Sequence, residues 1–170
     1  MDANYWIETL QLEPHPEGGF YRETYHSASW MEDDATVQRY GDRRRSATSI
    51  YFLLRSGDVS HFHRLKSDEL WYFHAGDPLD VHTIDPAGNY RRLGLGLCQS
   101  AGQEPQLLVP KGHIFGSSPQ ASTAPCEGYS LVSCMVTPGF DFRDFELFQQ
   151  DQLLELYPNQ EQIIRRLTLP

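Results

Sequence analysis

The sequence predicts an all-β protein, an antiparallel sandwich or barrel, and three observations carry that reading. Short runs rich in β-branched and aromatic side chains fill the middle of the chain, Gly, Pro, Asp or Asn breaks separate them, and no helical period comes between them. Helix-like patterning is confined to the two ends.

At the start, Trp6, Ile7 and Leu10 give Ala3 to Leu12 the spacing of a short helix laid against something larger, and Pro14 and Pro16 stop it. Strands follow at Phe20 to His26, Ala47 to Leu54, Val59 to His63, Glu69 to His74, Leu79 to Ile84, Tyr90 to Leu97, Pro105 to Val109 and Tyr129 to Val136. Asp77-Pro78, Pro86 to Asn89 and Pro110 to Gly112 are the turns. Ser27 to Arg45, acidic from Glu32 to Asp42 and ending in Arg43-Arg44-Arg45, has little apolar periodicity and is expected as an exposed loop. The arginine run is a solvated stretch or, alternatively, a diphosphate clamp. Two short helices close the chain, Asp151 to Leu156 and Gln160 to Leu167, parted by Tyr157-Pro158. Asn159 is placed to cap the second, with Gln162 in capping-box position.

At 170 residues the chain suits one domain with a sizeable core. Its 14 Lys and Arg against 23 Asp and Glu leave a net charge of −9. Such a surface repels phosphate backbones and anionic lipid, so neither nucleic acid nor membrane is an expected partner. The N-terminus lacks a basic start and an unbroken apolar run, which points to a cytoplasmic protein. Cys98, Cys126 and Cys134 have no C-x-x-C spacing and read as reduced thiols.

The chemistry-bearing stretch is Gly57 to Gly76. Residues two apart on a strand face the same way, so His61 and His63 project together while Phe62 goes to the other side. A turn at Lys66-Ser67 is expected to bring the chain back antiparallel, with Glu69 joining the same interior and Trp71 and Phe73 further along. Two imidazoles and a carboxylate in one hollow make either a facial metal site or a base with its orienting partners.

These residues carry a resemblance. Gly57 to Gly76 is similar to the first motif of the cupin superfamily, G-x5-H-x-H-x3,4-E-x6-G, and Pro110-Lys111-Gly112 resembles the opening of the second. Phe115 stands where the second motif places its metal-ligand histidine, and His113 lies two positions earlier. His15 to Tyr25, Ala47 to Leu54, Phe62 to Trp71 and Pro138 to Leu147 resemble the successive signature blocks of the fifth cupin family, a domain of unknown function. The resemblance implies a double-stranded β-helix, or jelly-roll barrel, as a single domain over 1–170. Its core spans about 19–138, with a C-terminal helical tail over about 148–170. It also implies a homodimer with a small-molecule cavity in the barrel mouth.

That family is in turn similar to the metal-independent dTDP-4-keto-6-deoxy-sugar 3,5-epimerases. Glu17 to Glu23 and Pro110 to Gly116 resemble two of their stretches. The resemblance implies an isomerase or epimerase of a carbohydrate or nucleotide-sugar-like ligand, with no cofactor. His63 is its catalytic base, oriented by Glu69, and Tyr129 stands for the general acid. Arg22, Glu23, His61, Trp71, Phe73, His113, Phe115 and Tyr129 are the expected ligand-binding residues. Two alternatives stand beside it: a cupin enzyme, dioxygenase or isomerase, holding a divalent transition metal on His61, His63 and Glu69, and a cupin that binds a small ligand without reaction.

Overall fold

A computed structural model of the chain describes residues 1–120 and 128–169. In chain order the elements are α1 (Ala3–Thr9), β1 (Glu13–Pro14), β2 (Phe20–His26), β3 (Trp30–Met31), α2 (Asp34–Tyr40), β4 (Arg44–Arg45), β5 (Thr48–Arg55), β6 (Ser60–Arg64) and β7 (Asp68–Gly76). There follow β8 (Leu79–Ile84), β9 (Tyr90–Leu95), β10 (Gln103–Glu104), β11 (Gln106–Val109), β12 (Ile114–Pro119), β13 (Tyr129–Thr137), β14 (Glu146–Leu147), α3 (Gln150–Leu156) and α4 (Glu161–Arg166). Two six-stranded sheets make a jelly-roll sandwich. The first runs β1-β2-β5-β13-β7-β11 and the second β10-β9-β8-β12-β6-β14.

The core lies between the sheets, where Phe52, Trp71, Val81, Leu95, Phe115 and Val132 interdigitate. Both outer faces are also covered. Trp6 and Ile7 of α1 and Leu10 at its C-cap pack with Leu12 on Leu53 and Leu131 of the first sheet, and Ile164 and Leu167 join Phe62, Ile84 and Ile114 outside the second. This double cover buries Leu79 and Val81 on the inner face of β8 and Ile84 on its outer face.

Six findings correct the sequence reading. First, β6 and β7 do not form a hairpin: the Leu65 to Ser67 connection crosses between sheets, so His63 and Glu69 line the interior from opposite sheets. Second, β12 is a strand that turn-like Gly116, Ser117, Ser118 and Pro119 concealed. Gly116 is required there, since a Cβ would stand 2.5 Å from the Ser60 carbonyl oxygen. Third, the expected loop over 27–45 holds α2 and the β3-β4 ribbon. Asp33 caps α2 by accepting from the Thr36 N–H at 3.1 Å and its hydroxyl at 2.7 Å, Gly41 ends it at φ +80°, and Tyr40 is buried.

Fourth, the arginine run is solvated only in part: Arg43 is exposed, but Arg44 and Arg45 form β4 and Arg44 turns inward. Arg44 is 2% exposed and grips Asp144 through Nε to Oδ2 at 2.7 Å and Nη2 to Oδ1 at 3.0 Å. Fifth, α4 begins after a 3-10 turn and carries no side-chain cap, so Asn159 does not cap it. The capping contact is in α3, where Gln152 accepts from the Gln149 N–H at 3.0 Å. Sixth, the antiparallel pattern has one exception, the parallel pairing of β9 with β10. No helix among the described residues is long and apolar enough to cross a membrane. Cys98 and Cys134 are free thiols, and Cys126 lies outside the described residues.

Candidate active site

Strand alternation sets the interior side chains. Along β6, Phe62 points outward under the C-terminal helices while His63 points inward, 2% exposed and in register with Phe115. Glu69 opens β7 on the facing sheet, in register with Val109 and Val136, and is 7% exposed. A third element completes the group. Between β1 and β2, Gly18 and Gly19 take φ of +108° and +72°, and a Cβ on Gly18 would lie 2.2 Å from the Val59 carbonyl oxygen. Two glycines thus let the chain press against the second sheet and drive Glu17 inside.

Hydrogen bonds fix where the protons sit. The Nδ1–H of His63 donates to the His61 carbonyl at 2.7 Å, so in the neutral ring Nε2 is an acceptor. Glu17 Oε1 accepts from the Ser60 hydroxyl at 2.7 Å. Its Oε2 stands 3.2 Å from His63 Nε2 and 3.5 Å from His15 Nδ1. That His15 nitrogen already accepts from the Glu17 backbone N–H at 3.1 Å. A bare carboxylate would therefore face two lone pairs. One proton shared between Glu17 and His63 resolves the conflict. Burial acts the same way, raising the Glu17 carboxyl above the usual carboxylate range and pulling His63 down to about 4.

Glu69 is held neutral too. Burial and then the Glu17 charge push its pKa up to about 8; the Trp71 indole offsets this only in part and closes no hydrogen bond. Glu69 Oε2 and Trp71 Nε1 are both buried without a hydrogen-bond partner. His15, Glu17, His63, Glu69, Trp71 and Cys134 all line one hollow with about 40 Å³ of space for water centres. Such a hollow holds on the order of three waters or a small organic molecule. Burial and the nearby Glu69 and Glu17 keep the Cys134 thiol protonated. Tyr21, Thr48, Ile50 and Phe140 continue into an outer vestibule that also carries Glu13, Glu23 and Asp141. Among the described residues no Lys or Arg lines the inner hollow.

The predicted residues divide. His63, Glu69 and Trp71 meet in the hollow, and Phe115 packs on His63 at 4.1 Å between ring centroids. Phe73 packs in the inter-sheet core. His61 shares the side of His63 but lies at its edge, its Nδ1 2.7 Å from the Glu17 carbonyl oxygen. The second ring nitrogen of His63 meets Glu17 and not Glu69. Arg22 lies in register with Tyr51, on the α1 face. Glu23 is exposed at the mouth beside His26. His113 sits in the turn before β12, outside the hollow, with Nδ1 unpartnered. Tyr129 is also outside: it lies beneath α1 and its hydroxyl accepts from the Trp6 indole at 2.9 Å.

His15, Glu17, Tyr21 and Phe145 are the residues that sequence reasoning left without a role. Their signal was present, since His15 to Tyr21 and Phe145 fall inside two of the signature blocks. Among the described residues the metal alternative finds no suitable donor set. Among the described residues no three or more His, Cys, Asp or Glu side chains are grouped to hold a metal ion. His63 spends one ring nitrogen on a carbonyl and turns the other to Glu17, and a phenylalanine ring covers it.

Fold and site together define a cupin with a carboxyl-rich barrel interior. The chain belongs to the cupin superfamily family Cupin_5 (DUF985), whose model matches residues 4–148. It is similar to a hypothetical protein from Leishmania major, 47% identical with a TM-score of 0.91 and full coverage of both chains. A Shewanella oneidensis protein, SO0799, is 48% identical at a TM-score of 0.88, covering 100% of this chain and 99% of that one. The uncharacterized yeast protein YML079W is 29% identical over 157 residues, 88% of this chain and 77% of its own length. An oxalate decarboxylase variant from Bacillus subtilis shares the fold at a TM-score of 0.55 and 14% identity, covering 92% of this chain and 37% of that one.

Proposed function

We propose that this cupin binds a small, uncharged hydroxycarbonyl compound in the barrel and isomerises it by proton transfer. One observation carries the reading: the proton-sharing Glu17–His63 pair and the neutral Glu69 line the same hollow, with His63 and Glu69 on opposite sheets. The pair takes a proton from the carbon next to the carbonyl. Glu69, protonated at neutral pH, donates to the developing enolate oxygen, and the unpaired Trp71 indole N–H supplies a second donor. Glu69 regains a proton from the neighbouring enediol hydroxyl and the pair returns its proton to the adjacent carbon, so a hydroxycarbonyl compound is isomerised with atoms and charge in balance. A nucleotide diphosphate is a poor fit, because no cation faces the hollow among the described residues and the vestibule is acidic. The ligand is therefore taken as a carbohydrate-like fragment, and no step is routed through a metal.

The test is solvent deuterium wash-in. Small ketoses, aldoses and hydroxyketones are incubated with the protein in D2O, and label is sought at the carbon next to the carbonyl. Label from wild type but not from Glu17→Gln or His63→Gln supports the proposal. Absence of label across the panel, with ligand still retained, leaves a binding cupin and overturns the enzyme.

A further inference from the structure

We infer that the outer face of the second sheet carries a second binding site, for a small anion of carboxylate or phosphate chemistry, in the polar pocket between His82, Tyr90, Arg92 and Arg166. The outward residues of β8 are Asp80, His82 and Ile84. The C-terminal helices cover Ile84, but beside Asp80 and His82 they leave a pocket with about 310 Å³ of space for water centres. It shares no lining residue with the barrel hollow.

A buried hydrogen-bond chain aims a donor into this pocket. Arg166 Nη2 donates to the Ser118 hydroxyl oxygen at 3.0 Å, Ser118 Oγ lies 3.3 Å from His82 Nε2, and His82 Nδ1 lies 2.8 Å from the Tyr90 hydroxyl oxygen. His82 is 1% exposed and Ser118 2%. Burial draws His82 down to about 4, so the ring is neutral at physiological pH and carries one N–H. Ser118 is buried, and its proton needs an internal acceptor, which His82 Nε2 provides. The ring proton is then on Nδ1 and goes to Tyr90 Oη. Tyr90, only partly buried and with its own pKa raised by burial, is left with its O–H free to point into the pocket.

Charge selects the occupant. Arg92 and Arg166 line the pocket with one carboxylate, Asp80, whose Oδ2 is 3.7 Å from Arg92 and whose Oδ1 accepts from the Gln120 amide at 2.8 Å. One positive charge remains unmatched in a chain of net charge −9. A guanidinium pair beside a phenolic donor suits a planar carboxylate or a phosphate.

Titration calorimetry at fixed ionic strength tests the site, with inorganic phosphate and malonate as probes and glycerol as the uncharged control. Saturable binding of either anion is expected, weakened about tenfold by Tyr90→Phe and by Arg166→Gln. Glu17→Gln, in the barrel, leaves it unchanged. Binding of phosphate without malonate assigns a phosphoryl ligand, and the reverse assigns a carboxylate. No saturable binding of either anion overturns the site, as does anion binding that both pocket variants leave intact or glycerol binding of equal strength.

Discussion

His63 Nε2 lies 3.2 Å from Glu17 Oε2, although the two residues stand on different structural elements: a strand of the second sheet and the glycine-supported turn between β1 and β2. The contact couples their titrations, so a proton leaving one is felt by the other. The Ser60 hydroxyl holds the remaining carboxyl oxygen and the His61 carbonyl holds the remaining ring nitrogen, leaving a single route for proton exchange inside the pair.

Replacing Glu17 by Gln keeps the shape and removes the proton store. Deuterium wash-in at the proposed substrate is expected to fall by about 10² or more, the usual worth of a positioned acid–base group. Thermal unfolding monitored by circular dichroism should move little, since the amide can still accept from Ser60. Unchanged exchange in a folded Glu17→Gln protein rules the pair out as the base.

Most of the fold was legible because its signals are local. Period-two runs marked the principal strands, and Trp6, Ile7 and Leu10 marked α1, since those residues face a sheet that buries them. The β12 strand is hidden in the sequence because Gly116 serves a close approach to the Ser60 carbonyl, a long-range demand that local composition does not reveal. The site was legible in half. His63 and Glu69 announced themselves by type and spacing, whereas Glu17 is catalytic in this reading only because a distant segment folds over the barrel. Arg44 looked solvated for a similar reason, its partner Asp144 being 100 residues away.

Glu69 makes stability depend on pH in a stated direction. Its carboxyl titrates near 8 in the folded protein against 4.5 for an unperturbed group, so the folded state holds a proton that the unfolded state releases. The corresponding stability is intact below pH 4.5 and is lost as pH rises toward 8. Between pH 6 and 8 the loss is on the order of 2 kcal/mol. Urea unfolding of wild type should show this decline, and Glu69→Gln should flatten it. A slope that persists in the variant assigns the effect to another group.

The Arg44–Asp144 pair should be worth far more than the exposed Arg64–Glu146 pair, despite comparable distances of 2.7 Å and 2.6 Å. Asp144→Ala strands a guanidinium in the interior, with an expected cost of about 3–5 kcal/mol. Glu146→Ala releases its arginine to water and should cost less than about 1 kcal/mol. Denaturant midpoints of the two variants decide it, and equal losses would refute the ranking.

Phe145 packs on His63 and also reaches the surface. Its centroid lies 5.3 Å from that of His63 and 6.0 Å from that of His15, and with Leu65 it also faces a surface groove carrying Arg39, Lys66 and Lys111. Because burial is the main cause of the low His63 pKa, Phe145→Ala should admit water and raise that value from about 4 toward 6.5. The linkage follows in sign. In wild type the stability tied to neutral His63 is present above pH 6.5 and is lost as pH falls toward 4, and the variant should lose less over that interval. Ring proton resonances, with His63 assigned by its Gln variant, report the shift directly. A His63 titration that stays near 4 in Phe145→Ala would place the water barrier elsewhere in the barrel wall, with Phe115 the next ring to remove.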